Sequence, residues 1–175
     1  MNRQISAPYG LTLQQAALSA VSALAREMVV ASTCKFAITY TFDYHGIEIP
    51  LDAKTKAEDL VAHICEQLTA RAKLYDTLPA APNAFEREQG GKMGEHLYEA
   101  IPSAIQCGQR WGNRAHDEGR IEQIRHVFEF NGIKVPFNPW KAGEVARVQQ
   151  EVETAMRRNG APYCYNVRPE VRLAV

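Results

Sequence analysis

The residues best suited to binding chemistry lie between positions 110 and 125. The run Arg110-Trp-Gly-Asn-Arg114 is followed by two further arginines, which makes this the densest basic and aromatic cluster outside the repeated segments. A guanidinium group can bind a phosphate or carboxylate through two hydrogen bonds, and an indole can stack on a base or fill a partner's pocket. Acidic residues also lie among these cations, and Trp111 could be a core residue. The predicted partner-binding residues are Arg110, Trp111, Arg114, Arg120 and Arg125.

Catalytic and metal-binding groups are present but do not converge. Cys107 with His96, His116 or His126 would supply a thiol nucleophile and its base, which must lie within hydrogen-bond reach of each other. Nothing in the sequence brings them together, and a buried helical cysteine is commoner than a catalytic one. His96 and Glu99, three apart on a helix, could bind a metal, but a solvated helix face has the same pattern. The interpretation favours a protein that is not an enzyme, with no catalytic residue, metal site or cofactor.

The segment Gln89-Gly-Gly-Lys-Met-Gly94 is rich in glycine and contains a lysine, as phosphate-binding loops do. A phosphate-binding loop of the Walker type requires G-x-x-x-x-G-K-[ST] between a strand and a helix. Neither that spacing nor that context is present, so a plain flexible loop is predicted.

The elements that must position these residues are indicated by an internal repeat. The segment Phe42-Asp-Tyr-His-Gly-Ile-Glu-Ile-Pro-Leu-Asp52 recurs as Phe128-Glu-Phe-Asn-Gly-Ile-Lys-Val-Pro-Phe-Asn138, at an offset of 132 − 46 = 86 positions. His-Gly and Asn-Gly favour two-residue type I′ turns, so each copy predicts a β-hairpin with one apolar face. The side chains predicted to be buried in this register are Phe42, Tyr44, Ile47, Ile49, Phe128, Phe130, Ile133 and Val135.

Two prolines restrict how the hairpins can pair. In the predicted register, the nitrogens of Pro50 and Pro136 point away from the hairpin partner, so the second strand of each hairpin belongs at a sheet edge. The fold class predicted is α+β: two copies of a helix, β-hairpin, helix unit that form one antiparallel four-stranded sheet with the helices packed on one face. The polar faces, which carry Asp43 beside Glu48 and Glu129 beside Lys134, are predicted to face solvent or a partner.

Helical patterns flank both hairpins. Thr12 begins an alanine-rich helix that runs to about Ala31, and further helices are predicted after Thr55, around residues 97–105 and after Asn138. Glycines are predicted to break the chain between 90 and 119. The predicted organisation is a single domain over 1–175, with repeat unit one at about 11–76, a proline-rich linker at 77–84, repeat unit two at about 85–160, and a C-terminal tail at 161–175.

Composition excludes some classes of protein. The 175 residues contain 20 basic and 20 acidic side chains, so no whole-chain charge attracts nucleic acid or an anionic membrane. The longest apolar stretch, 16–31, is too short and too polar to span a bilayer, and the N-terminus does not resemble a signal peptide. The four cysteines, Cys34, Cys65, Cys107 and Cys164, are far apart and are interpreted as reduced thiols. A cytoplasmic protein without membrane partners is expected.

These observations favour a non-enzymatic interaction protein that binds a protein, or a protein–nucleic acid complex, through charged surfaces. An adaptor or a small inhibitor of host machinery, such as phages encode, would fit this description, although no residue indicates a source organism. A homodimer is compatible with the polar hairpin faces. Two alternatives stay open: a nucleic-acid-binding protein that uses the C-terminal arginines, and a small enzyme with a site in the glycine-rich middle segment.

Overall fold

The computed structural model describes residues 1–33, 37–90 and 96–159. The chain divides into two compact units, Met1–Ala70 and Arg71–Val175, and the division falls within a helix. The single domain expected over 1–175 stays a prediction. The elements in chain order are β1 (Asn2–Ser6), α1 (Leu13–Ala31), β2 (Thr39–Tyr44), β3 (Ile47–Leu51), α2 (Ala57–Thr77), β4 (Phe85–Gly90), α3 (Leu97–Asp117), a short 3₁₀ turn (Ile121–Gln123), β5 (Ile124–Phe130), β6 (Ile133–Phe137) and α4 (Glu144–Arg158).

The prediction of one antiparallel four-stranded sheet is wrong. The first unit has a three-stranded sheet of order β1-β2-β3, and the second has one of order β4-β5-β6. In each sheet the first strand runs parallel to the second, and the second and third form an antiparallel hairpin. The physical reason is that β1 and β4 occupy the free sides of β2 and β5, where the other hairpin was expected. The order of helix, hairpin and helix is correct in both copies.

The register of both hairpins is confirmed, although Ile49 and Ile133, which were predicted to be buried, are only half-buried. Each turn has two residues with positive φ, as a type I′ turn requires: His45 at 48° and Gly46 at 93° in the first, Asn131 at 51° and Gly132 at 81° in the second. The predicted pairs are all present: Tyr44 with Ile47, Phe42 with Ile49, Tyr40 with Leu51, Phe130 with Ile133, Phe128 with Val135, and His126 with Phe137.

The polar side of the first hairpin is less exposed than expected. Asp43 was predicted to face solvent or a partner, but it is only 9% exposed within its own sheet. The reason is again β1, because its Ser6 lies directly beside Asp43 in the sheet. The Asp43 carboxylate accepts a hydrogen bond of 2.6 Å from the N–H of Gly46, and Glu129 accepts one of 2.7 Å from the N–H of Gly132. Each carboxylate therefore also closes its turn.

The strands that contain proline lie at sheet edges, as predicted. A proline has no N–H to offer an added strand, so neither edge can extend its ladder at that position. At Pro136 the carbonyl oxygen is occupied as well, because it accepts a hydrogen bond of 2.7 Å from Nη2 of Arg147. The outer edges β3 and β6 are thus protected against strand addition.

Each unit has its own apolar core, in which helices pack on the apolar face of the hairpin. Large aromatic residues from the hairpins and branched or small residues from the helices supply most of the buried surface. In the first unit the core includes Ala16, Ala17, Ala20, Leu24, Tyr40, Phe42, Tyr44, Ile47, Leu60 and Ile64. In the second unit it includes Leu97, Ile101, Ala104, Ile105, Phe128, Phe130, Val135, Phe137, Val148, Val152 and Met156.

Glycines 108 and 112 do not break the chain, which corrects the sequence prediction. Both lie inside α3, which continues to Asp117. A Cβ atom at Gly112 would lie 2.4 Å from Cζ2 of Trp140, and one at Gly108 would lie 3.0 Å from Cε2 of Phe137. These residues are glycine because aromatic rings occupy the space that a side chain would need.

The start of the last helix also differs from the prediction. The helix was expected to begin directly after Asn138, but α4 begins at Glu144 after Gly143, whose φ is 82°. The Asn138 side chain instead donates hydrogen bonds to the carbonyl of Ala72 at 3.0 Å and to Asp76 at 2.9 Å. The segment 138–143 is consequently an ordered connection that delivers Trp140 to α3.

Replacing Gly112 with alanine tests the close packing of α3. We expect Gly112→Ala to lower the free energy of unfolding by about 1–3 kcal/mol, because the added methyl group would overlap the Trp140 ring. Ala104→Gly is the comparison variant, because it removes a methyl group at a buried position of the same helix instead of adding one. A urea unfolding curve for Gly112→Ala that matches the parent would contradict the packing.

Replacing Gly132 with valine tests the turn. A Cβ at Gly132 would meet no atom within 4 Å, so any loss must come from the backbone, whose φ is 81°. We expect Gly132→Val to cost about 1–3 kcal/mol and Gly132→Asn clearly less, since asparagine tolerates positive φ. Equal unfolding free energies for the two variants would show that the strain argument fails.

Candidate partner-binding surface

Helix α3 carries three of the five predicted binding residues. Its inward positions recur every three or four residues, so the sequence forms a strongly amphipathic helix. Glu99 in the first turn, together with Arg114 and His116 in the last, complements the helix dipole. Arg110, Trp111 and Arg114 occupy the outer face and are exposed.

Trp111 is held in place by Arg87, which was not among the binding residues predicted from the sequence. The indole is 38% exposed, so it is not a fully buried core residue. The guanidinium carbon of Arg87, in β4, lies 3.8 Å from the centroid of the Trp111 ring, the geometry of a cation–π contact. The Nε atom of Arg87 is buried without a hydrogen-bond partner. The indole therefore projects from α3 with the guanidinium of Arg87, from β4, stacked on one face.

Phe85 extends this surface along the edge strand β4. It lies two residues before Arg87, so both side chains project from the same side of the sheet. Gln89 contacts α3 at Gly108 and Arg87 contacts it at Trp111, which shows that strand and helix run in opposite directions. Phe85 is 63% exposed, a large apolar side chain left in solvent. We call Phe85, Arg87, Arg110, Trp111 and Arg114 the α3–β4 surface.

Arg120 is tied to this surface through one carboxylate. Nε of Arg114 donates a hydrogen bond of 2.9 Å to Glu118, and Arg120 donates to the other oxygen of the same carboxylate. The hydrogen bonds from Arg120 and then Arg114 lower the pKa of Glu118. The two arginines and Glu118 therefore form a small exposed ion cluster with one excess positive charge.

Arg125 lies apart from the other predicted binding residues. Its guanidinium donates hydrogen bonds to the carbonyls of Leu78 at 3.2 Å and of Ile124 at 3.0 Å. It also lies 5.1 Å above the ring of Tyr75. Successive side chains of β5 point to opposite faces of the sheet. The side chain of His126 packs against α3, so that of Arg125 lies on the other face. Arg125 thus ties β5 to the end of α2.

A buried polar network lies beneath the α3–β4 surface. The side-chain oxygen of Asn113 accepts hydrogen bonds from Nη1 of Arg71 and from Nε1 of Trp140, the latter at 2.6 Å. Gln109 donates a hydrogen bond of 2.9 Å to the carbonyl of Pro139. Burial of the Arg71 guanidinium lowers its pKa, while the charge of Asp117 opposes that shift. These bonds fix α3 to α2 and to the segment before α4.

His126 lies beside this network, with its ring centroid 6.1 Å from that of Trp140. It is 1% exposed, and its Nδ1 lies 3.4 Å from the amide nitrogen of Gln89. Burial, followed by the charges of Arg87 and Arg125, lowers the pKa of His126 to about 4. The imidazole is therefore neutral at pH 7, with Nδ1 assigned as the acceptor from Gln89 and Nε2 as the protonated nitrogen.

The alternative chemistries gain no support from the described residues. No hydrogen bond joins Cys107 to any of the three histidines considered as its base, within 1–33, 37–90 and 96–159. Cys65 and Cys107 are free thiols. Over the same residues, no group of three or more His, Cys, Asp or Glu is arranged to hold a metal ion. Cys34, Cys164 and residues 91–94 of the glycine-rich segment lie outside the described residues.

A cavity of about 270 Å³ lies near the network, and the arginines and the lysine in its lining already have partners: Arg125 donates to the carbonyls of Leu78 and Ile124. Its lining includes Lys141, which pairs with Asp76 at 3.3 Å, and Arg147, which pairs with Glu144 at 2.6 Å. Each of these cations is therefore already neutralised by a carboxylate in the same wall. The α3–β4 surface is the better candidate for binding.

Comparison of the chain with protein families, with curated proteins and with solved structures finds no match. Among the helices of the described part of the chain, none combines the length and the apolar character needed to cross a membrane.

The depressed pKa of His126 predicts acid sensitivity. A neutral imidazole is favoured in the folded state, whereas the unfolded chain binds a proton near the ordinary pKa of 6.5. The stabilisation is thus present above pH 6.5 and is lost as the pH falls towards 4. Between pH 7 and pH 5 we expect the free energy of unfolding to fall by about 2 kcal/mol from this group.

Urea unfolding at pH 7, 6 and 5 measures this effect. His126→Gln should remove most of the pH dependence in that interval, whereas His116→Gln, at a partly exposed position, should leave it in place. An unchanged pH dependence in His126→Gln would assign the effect to other groups.

Proposed function

We propose that this chain is a non-enzymatic interaction protein that binds a protein partner in the cytoplasm through the α3–β4 surface, in the manner of an adaptor or an inhibitor. The observation that carries the proposal is the exposed Trp111 with the Arg87 guanidinium stacked 3.8 Å from its ring centroid. An anchor of this kind is already ordered before binding, which reduces the entropy lost on association.

The composition of the surface supports this proposal. Tryptophan and arginine are the side chains most enriched among residues that dominate binding energy, and aromatic residues are enriched at the centres of interfaces. Phe85 and Trp111 supply apolar area, while Arg110 and Arg114 stand on the same outer face of α3. A partner that presents an apolar pocket flanked by carboxylates would match both kinds of group.

The distribution of charge favours a protein partner over nucleic acid. Asp117 and Glu118 lie at the C-terminal end of α3, three and four residues after Arg114, and Glu118 pairs with both Arg114 and Arg120. Carboxylates so close to the arginines would repel a phosphate backbone, whereas a protein surface of mixed charge can complement both signs.

Affinity capture with the full chain tests the proposal. We expect a partner retained by the parent protein to bind at least about tenfold more weakly to Arg110→Glu and to Trp111→Ala, which corresponds to the loss of one hot-spot residue. Lys73→Glu, an exposed charge reversal on α2, is the matched control and should bind normally. Circular dichroism verifies that each variant is folded, since exposed arginines contribute little to stability.

The same experiment separates the alternatives. Loss of the captured material after nuclease treatment, with a steep dependence of affinity on salt, would indicate a nucleic-acid-binding protein. Cys107→Ser or His116→Ala variants that fold but lose function, while the Arg110 and Trp111 variants keep it, would replace the interaction proposal with the enzyme. Arg125→Glu is expected to reduce stability rather than binding, because its guanidinium holds the carbonyl of Leu78.

A further inference from the structure

Helix α1 exposes large apolar side chains to solvent, alongside the polar residues Gln14, Gln15, Ser19, Ser22 and Arg26. Its buried residues are Ala16, Ala17, Ala20 and Leu24. No charged side chain occurs from 13 to 25, which is unusual for a helix at the surface of a folded unit. Leu18, Met28, Val29 and Val30 are among the large hydrophobic side chains that the described residues leave exposed, and an exposed apolar patch of this kind marks a candidate contact surface.

The outer side has a seam like that of a coiled coil. Leu18, Ser22, Ala25 and Val29 follow one another at spacings of four, three and four, so they form one line along the helix. At 100° per residue this line lies opposite the buried residues. Leu18 is 52% exposed and Val29 is 72% exposed. The two middle residues are small, which lets another helix approach closely.

The seam is complementary to itself under a two-fold axis. If a second copy of α1 packs antiparallel with the axis midway between positions 23 and 24, Leu18 meets Val29 of the second copy, since 18 + 29 = 47. Ser22 meets Ala25 of the second copy by the same rule, since 22 + 25 = 47. Each contact is thus repeated by the two-fold axis, as in an interface made from one patch used twice, with the larger residues at the two ends and the small ones at the centre.

The flanks of the seam fit the same arrangement. On one side Met28 borders the seam, while Val21 packs against the core of its own unit; on the other side Ser19 faces Arg26 of the second copy. The carboxylate of Glu27 is turned away, because it pairs with Arg3 of β1. No like charges oppose each other, so nothing in the pattern selects against a second copy.

We propose that the outer face of α1 forms a two-fold symmetric homodimer by antiparallel helix packing with a second copy of this chain. One face of a five-turn helix buries less than the roughly 800 Å² per partner of a standard interface. The dimer is therefore weak, with a dissociation constant between about 1 µM and about 500 µM. This interface is separate from the α3–β4 surface, and it does not depend on the function proposed for that surface.

Sedimentation velocity on the full chain, from about 1 µM to about 500 µM, measures the dimer. We expect a concentration-dependent shift from monomer to dimer. Ala25→Glu places a carboxylate beside the two-fold axis and should raise the dissociation constant about tenfold or more. Ala62→Glu makes the same substitution at an exposed position of α2 in the same unit and should leave dimerisation unchanged.

Two further variants keep the test decisive if Ala25→Glu fails to fold. Leu18→Gln should weaken the dimer, and Ser19→Glu should tighten it, because the new carboxylate would face Arg26 of the second copy. A parent protein that stays monomeric over the whole range overturns the proposal. A dimer that Ala25→Glu or Leu18→Gln leaves intact also overturns it, since the contact would then lie elsewhere.

Discussion

The close approach of α3 to its sheet is the constraint on which the second unit depends. At Gly112 the ring of Trp140 occupies the space of a side chain. A Cβ atom added there would also lie only 3.2 Å from Nε2 of His126. The neighbouring Asn113 then bonds the indole nitrogen of Trp140 and the guanidinium of Arg71. Because Gly112 and Asn113 face inward, the preceding residue on the helix, Trp111, is turned towards solvent. One packing constraint therefore sets both the buried network and the exposed anchor.

The two units use one framework in different ways. Ile5 lies beside Phe42 as Gln89 lies beside Phe128, so β1 and β4 correspond at an offset of 89 − 5 = 84 positions. At that offset Arg3 corresponds to Arg87, and their helical partners Glu27 and Trp111 correspond as well. Leu24 of the first unit corresponds to Gly108 of the second. The first unit thus fills its interior from the helix, whereas the second fills it with aromatic residues from later in the chain.

The features that the sequence predicted correctly are those set by local chemistry. Positive φ at His45-Gly46 and Asn131-Gly132, alternation along the strands and the missing N–H of each proline determined the hairpins and their edges. The strands β1 and β4 escaped notice because they are short, polar and only partly buried, so neither shows an apolar alternation. Gly108 and Gly112 suggested loops because the rings that explain them are distant in sequence. Arg110, Trp111 and Arg114 could be identified from composition, while Phe85 and Arg87 could not be found without β4.

Strand β4 connects the candidate surface to the interior of its unit. Arg87 and Gln89 project from the same side of this strand, one to stack on Trp111 and the other to contact His126. The position of the exposed indole therefore depends on the strand that the buried imidazole helps to hold. The charge of Arg87 also contributes to the low pKa of His126, after burial itself. A proton on His126 would repel the guanidinium that supports the indole, so the interior and the α3–β4 surface are linked electrostatically through Arg87.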